Sequence, residues 1–278
     1  MHRKAFVIGD PVSHSRSPLI HSYWLKKHGI DGSYTAIHVK QSGLPAFLCA
    51  LEKDGFAGGN ITLPHKEAVF GHVAHNDEIA REIGAVNTLW IEGGALRATN
   101  TDAYGFAQNL DERAPGWDRA KTALVIGAGG ASRAIIVALK QRGFADIRIA
   151  NRSLERAEEL SRRFGEKVTA HSLSAASELA ADAGLVVNTT SLGMAGEGAI
   201  PLALHKLRRD VLVTDIVYVP LETPFLKAAR LAGLKTADGL GMLLHQARPG
   251  FEKWFGVLPL VTEELRQLIL DDMAMPHA

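Results

Sequence analysis

An apolar run, Thr122-Ala123-Leu124-Val125-Ile126, breaks into Gly127-Ala128-Gly129-Gly130-Ala131 and resumes as a helical pattern from Ala134 to Leu139. That is the order of a strand, a tight turn and a helix opening. With no Cβ at Gly129 or Gly130, and with backbone angles open to Gly127 that other residues avoid, an anion can reach the free N–H groups and positive dipole end of the new helix. Asp146 to Ala150 reads as a second strand, completing a βαβ unit of about 30 residues. Ser132 fills the third small position and still permits close helix packing. The feature predicts an open, doubly wound parallel sheet of the kind that binds dinucleotides.

The end of the second strand separates the two nicotinamide dinucleotides. A carboxylate there accepts from both ribose hydroxyls of NAD, whereas a 2′-phosphate needs cationic donors. This chain has Asn151-Arg152-Ser153 and then Arg156. Arg152 can lie against the adenine and pair with the phosphate, Ser153 can donate to it, and Arg156 follows one turn later. The reading is NADP, although Arg156 equally suits a solvated helix face with Glu155, Glu158 and Glu159.

A chain of 278 residues has room for two domains, and 46% hydrophobic content suffices for a core in each. A formal charge of +1 argues against nucleic-acid or polybasic membrane partners and toward a small-molecule substrate. No apolar stretch approaches the ~18 residues of a membrane span, and the N-terminal run is too short for a signal peptide. The single cysteine, Cys49, cannot form an internal disulfide; its apolar neighbours predict a core position and a cytoplasmic protein. Twelve histidines show no metal-binding spacing, so no metal is expected.

Strands and helices alternate before the glycine turn as well, so the first half is also α/β. Strands are expected near 4–9, 33–39, 58–63 and 84–91, with a Gly93-Gly94 hairpin turn leading to 96–102. Ser17 would cap a helix beginning at Pro18. A helix from Asp102 to Leu110 is broken by Pro115-Gly116, where a domain boundary is expected. Further strands follow near Val168, at 185–190 and at 211–218, then a helix opened by residues 240–250 and a last helix suggested by Leu260, Val261, Leu265, Leu268 and Ile269. Residues 191–196 form a loop at a strand's carboxyl end, where open parallel sheets bind ligands, and are a candidate moving part.

An enzyme that interconverts an alcohol and a ketone by hydride transfer must also move a proton. Lys66 and Asp102 each follow directly upon a strand, and an ammonium can give a proton to a forming alkoxide. On these grounds alone Lys66 also suits a solvated first-turn lysine, and Asp102 a helix cap. Ser15, Ser17, Thr62, Asn87 and Thr101 lie at or just past strand ends and together suit a polyhydroxylated ligand.

Gly9-Asp10-Pro11-Val12-Ser13-His14-Ser15-Arg16-Ser17-Pro18, Asn60-Ile61-Thr62-Leu63-Pro64-His65-Lys66, Gly84-Ala85-Val86-Asn87-Thr88-Leu89 and Asn100-Thr101-Asp102 follow one another along the chain. With the glycine turn, Asn151-Arg152-Ser153 and Asp238-Gly239-Leu240-Gly241-Met242-Leu243-Leu244-His245-Gln246-Ala247, they resemble the shikimate dehydrogenase family. The resemblance implies reversible NADPH-dependent reduction of 3-dehydroshikimate to shikimate, on the route to chorismate and the aromatic amino acids. It implies two α/β domains with the active-site cleft between them: residues 1–102 with 243–278 for substrate and catalysis, and 103–242 as a Rossmann-type NADP domain. Ser15, Ser17, Thr62, Asn87, Asp102 and Gln246 would hold the substrate with Tyr218 nearby, and Lys66 would be the acid/base with Asp102 its partner. The cofactor would meet Gly127, Ala128, Gly129, Gly130, Ala131, Asn151, Arg152, Ser153, Arg156, Ile216 and Gly239. A homodimer is compatible with this, and no surface stripe demands one. Two alternatives stand beside it: an NAD-dependent quinate/shikimate dehydrogenase, whose kind typically carries an acidic residue within 151–156, and a non-catalytic NADPH-binding sensor.

Overall fold

The computed structural model describes residues 2–192 and 200–275. They divide into two units, Met1–Thr101 with Leu244–Ala278, and Asp102–Leu243.

In the first unit the chain runs β1 (Arg3–Gly9), α1 (Ser17–Lys27), β2 (Gly32–His38), α2 (Leu44–Ala50), β3 (Phe56–Ile61), α3 (Lys66–His72), β4 (His75–Asn76), α4 (Glu78–Ile83), β5 (Thr88–Glu92) and β6 (Ala95–Thr99). The sheet order is β2-β1-β3-β5-β6-β4. β1 lies parallel to both neighbours, while β5 runs antiparallel to β3 and β6. Gly93 and Gly94, both at positive φ, make the two-residue turn that the dipeptide predicts. Phe6 and Ile8 enter a core with Leu44, Leu48 and Val69, and the intervening Ala5 and Val7 are buried too. Burial on both faces explains why β1 is apolar throughout. Cys49 corrects an expectation: it is exposed, because Leu44, Leu48 and Leu51 form the inward stripe of its helix.

The second unit continues with α5 (Asp102–Arg113), β7 (Thr122–Ile126), α6 (Gly130–Gln141), β8 (Asp146–Asn151), α7 (Leu154–Phe164), β9 (Val168–Ser172), α8 (Ala176–Leu179), β10 (Leu185–Asn188), β11 (Leu212–Asp215), α9 (Pro224–Leu231) and β12 (Lys235–Ala237). All neighbours pair in parallel, in the order β12-β11-β10-β7-β8-β9. This is the doubly wound dinucleotide-binding order, and its winding reverses between β7 and β10. The division between units precedes α5 instead of falling at Pro115-Gly116. The reason is packing: α5 lies on α6, and Phe106 meets Trp117 edge-on, which in turn stacks on Phe144 at 5.8 Å.

The chain ends with α10 (Leu240–Phe255) and α11 (Glu263–Ala274). α10 opens at Leu240 as expected and continues through Pro249 to bury Phe251 and Trp254. Leu260 lies ahead of the last helix and is exposed, contrary to the periodicity. Trp254 Nε1 donates to Leu89 O at 2.7 Å, over Gly58. A Cβ on Gly58 would lie 2.1 Å from Leu89 O and 2.4 Å from Trp254 Nε1, so this position admits only glycine. Among the described residues no helix is long and apolar enough to cross a membrane, and no group of three His, Cys, Asp or Glu could hold a metal ion.

Candidate active site

In the first unit the carboxyl ends of β1 and β3 are adjacent, and the polar segments follow directly from them. Thr62 N donates to Ile8 O at 2.9 Å. Its methyl group fills the space beside Gly9, where a Cβ would come within 2.5 Å of it. Ser15 Oγ accepts from Ser17 N at 3.3 Å. Ser17 is therefore not the cap of α1 but its first residue, buried, with Ser15 serving the exposed end of its backbone.

Lys66 is the half-buried first residue of α3. Its backbone is tied down on both sides: His65 is fully buried with Nε2 2.6 Å from Val39 O, and Lys66 O accepts from Val86 N at 2.9 Å. Asn87, Thr101 and Gln246 come together although far apart in sequence. Asn87 Nδ2 donates to Thr101 Oγ1 at 3.0 Å and to Gln246 Oε1 at 3.4 Å, and Thr101 N donates to Asn87 Oδ1 at 2.9 Å. All three are buried. Behind them stand Tyr34, Asn60 and Thr88, which the sequence reading left out; their only signal was a polar type inside an otherwise apolar strand.

In the second unit a cavity of about 380 Å³ opens where the sheet's winding reverses. Gly127, Ala128 and Gly129 line it from the end of β7, Asn151 and Arg152 from the end of β8, Arg156 from the first turn of α7, and Thr189, Thr190, Ser191 and Leu192 from the end of β10. Gly127 has φ +111°, and a Cβ there would sit 2.6 Å from Thr189 Oγ1. α6 starts at Gly130 with Ala131 next, and Ser132 Oγ donates to Gly129 O at 2.5 Å. Ser153 holds the turn by accepting at its carbonyl from Asn151 Nδ2 at 2.9 Å. Of the 191–196 segment, residues 193–196 lie outside the described residues.

The cavity's charge suits a phosphate. Arg152 and Arg156 are exposed, and among the described residues neither has an ion-pair partner and no carboxylate lines the cavity. Those residues fit a dinucleotide carrying a 2′-phosphate better than one with a free ribose hydroxyl.

Asp102 is the first residue of α5, and half-buried Tyr218 follows β11. Ile216 and Gly239 meet: a Cβ on Gly239 would lie 2.6 Å from Ile216 O. The segment is anchored by buried Asp215, which accepts from Thr223 Oγ1 at 2.8 Å, Asn188 Nδ2 at 2.9 Å and Val217 N at 3.0 Å. Burial nevertheless raises the Asp215 carboxyl above the usual range, against the pull of those three donors.

Residues 7–89 match the family model for the shikimate dehydrogenase substrate binding domain, and residues 111–217 that for shikimate / quinate 5-dehydrogenase. Shikimate dehydrogenase (NADP(+)) of Mesorhizobium japonicum is 61% identical over 271 residues, covering 98% of this chain and 97% of that one. The Thermus thermophilus shikimate 5-dehydrogenase structure with NADP(H) and shikimate superposes with a TM-score of 0.86 at 36% identity, covering 97% and 99%. Quinate dehydrogenase from Corynebacterium glutamicum in complex with NAD superposes at 0.89 with 31% identity, covering 98% and 100%. With both domain models matched in order and the likeness running nearly end to end, the chain belongs to the shikimate dehydrogenase family.

Proposed function

We propose that the chain is an NADP-dependent shikimate dehydrogenase, catalysing the reversible reduction of 3-dehydroshikimate to shikimate on the route to chorismate and the aromatic amino acids. The observation that carries this reading is the 61% identity to an enzyme of that name over 98% of the chain. The reduced nicotinamide supplies a hydride to the carbonyl carbon. Lys66 Nζ gives a proton to the carbonyl oxygen and regains one from solvent, and Asp102 orients the ammonium and shares its proton. Ser15, Ser17, Thr62, Asn87, Asp102 and Gln246 hold the substrate's hydroxyls and carboxylate, with Tyr218 nearby. The turn from Gly127 to Ala131 would hold the pyrophosphate of the cofactor on backbone N–H groups, and Ile216 and Gly239 would also meet the cofactor. Arg152, with Ser153, Asn151 and Arg156, reads the 2′-phosphate.

The test follows absorbance at 340 nm with shikimate or quinate and with NADP or NAD. Reduction confined to shikimate with NADP is expected. Comparable rates with quinate and NAD would replace the reading with the quinate/shikimate enzyme, and cofactor binding without turnover in every combination would replace it with the sensor.

Cofactor choice gives a separate prediction. Hydrogen bonds to charged groups contribute roughly 1.5–3 kcal/mol, so Arg152→Ala is expected to raise the KM for NADP about 10- to 100-fold while leaving the weak use of NAD nearly unchanged. Equal losses with both dinucleotides would show that the guanidinium does not read the phosphate.

A further inference from the structure

The side-chain amide of Asn87 is locked in one orientation, and the lock reaches two layers behind the substrate residues. Two backbone groups fix the direction of every bond in it. Thr101 N–H can only donate, and it meets Asn87 Oδ1 at 2.9 Å, so the oxygen end of that amide points inward. Asn87 O can only accept, and it meets Asn60 Nδ2 at 3.0 Å, so the nitrogen end of Asn60 faces Asn87. The second N–H of Asn60 goes to Thr88 Oγ1 at 3.1 Å. Having accepted there, the Thr88 hydroxyl directs its own proton to Asn87 Oδ1 at 2.8 Å. Asn60 Oδ1 is in turn occupied by the Tyr34 hydroxyl, which donates at 2.6 Å. Tyr34, Asn60, Thr88 and Asn87 are all buried, and Thr88 is fully enclosed, so water does not compete for these bonds.

Oδ1 is thus held by the Thr101 N–H and the Thr88 hydroxyl, with Thr101 Oγ1 also 3.1 Å away, and Nδ2 faces Thr101 Oγ1 at 3.0 Å and Gln246 Oε1 at 3.4 Å, so a ligand on the Gln246 side meets the N–H end of the amide. We infer that Thr88, held by Asn60 and Tyr34, is a positioning residue that fixes the Asn87 amide with its N–H face toward the substrate, so that this part of the site selects a hydrogen-bond-accepting oxygen. The inference rests on the proposed role of Asn87 in binding shikimate. Thr88 itself touches no reacting atom and acts through its neighbour.

The experiment compares Thr88→Val, which keeps the shape and loses the hydroxyl, with Thr88→Ser, which keeps the hydroxyl and loses a buried methyl. A net hydrogen bond contributes about 0.5–1.5 kcal/mol, so Thr88→Val is expected to raise the KM for shikimate roughly 3- to 10-fold, with kcat and the KM for NADP within twofold. Thr88→Ser is expected to stay within twofold of the parent in all three. A packing role predicts the reverse order, and serine worse than valine would overturn the inference. Should Thr88→Val not fold, Thr88→Ala against Thr88→Ser makes the same comparison of hydroxyl with none. Asn87→Ala separates the two levels of the argument. A raised shikimate KM in Asn87→Ala, with no further rise on adding Thr88→Val, supports the inference. An unchanged KM in Asn87→Ala removes Asn87 from the substrate site, whereas a raised KM there with parent-like Thr88→Val overturns only the role of Thr88.

Discussion

Lys66→Ala lowers kcat for shikimate oxidation by two to four orders of magnitude and leaves shikimate binding nearly unchanged. The size follows from the step removed, since a positioned general acid or base contributes about 10²–10⁴. Binding is expected to be spared because the proposed site gives the substrate's carboxylate and hydroxyls partners of their own in Ser15, Ser17, Thr62, Asn87 and Gln246. Position matters as much as chemistry. Lys66 starts α3, its carbonyl takes a hydrogen bond from Val86 N, and the preceding His65 is pinned to Val39 O, so the side chain leaves a backbone that cannot drift. Lys66→Arg retains the charge but not a proton that is given up readily near neutral pH, and is expected to fall nearly as far as alanine. Stopped-flow single turnovers, in which the preformed enzyme–NADP complex is mixed with shikimate, check this, because they report the chemical step without product release. A chemical step at the parental rate in Lys66→Ala would take Lys66 out of the mechanism.

The features legible in the sequence were those that depend on local backbone geometry. The glycine turn after β7, the Gly93-Gly94 hairpin and the strand end at Asn151-Arg152-Ser153 each lie where the sequence places them, because a tight turn or a strand end imposes its residues within a few positions. What stayed hidden depends on distant segments. Gln246 was named through the family resemblance, but its contact with Asn87 and Thr101 exists only through the fold. Asn60 and Thr88 looked like ordinary strand residues, since nothing in a strand's period tells a satisfied buried amide from an exposed one. Cys49 misled for a related reason: an apolar run hides which side of a helix faces inward until the sheet it packs on is known.

His21→Phe abolishes an acid sensitivity that the parent carries in its first unit. The His21 ring is fully buried, stacked on Tyr34 at 4.0 Å and flanked by Trp24, Phe251 and Trp254. Burial among those rings disfavours the imidazolium and pushes the pKa down from 6.5 to about 3. The direction of the pH effect follows from proton counting. Above pH 6.5 the imidazole is neutral in folded and unfolded chains alike and contributes nothing. Between pH 6.5 and about 3 the unfolded chain binds a proton that the folded chain refuses, so stability falls as pH falls. From pH 7 to pH 5 the loss is about 2 kcal/mol, from 1.36 kcal/mol per unit of pKa. Phenylalanine keeps a flat ring between Tyr34 and Phe251 and has nothing to protonate. Carboxylates elsewhere shift both proteins alike, so the difference between them isolates the imidazole. Urea unfolding followed by tryptophan fluorescence reports the first unit well, since Trp24, Trp90 and Trp254 lie in it. Parent and His21→Phe are expected to differ in their pH 7 to pH 5 change by about 2 kcal/mol, whatever their relative stability at pH 7. A His21 imidazole that titrates near pH 6.5 in the folded protein, seen by NMR as the one signal missing from His21→Phe, would show instead that water reaches the ring and that burial does not control its charge.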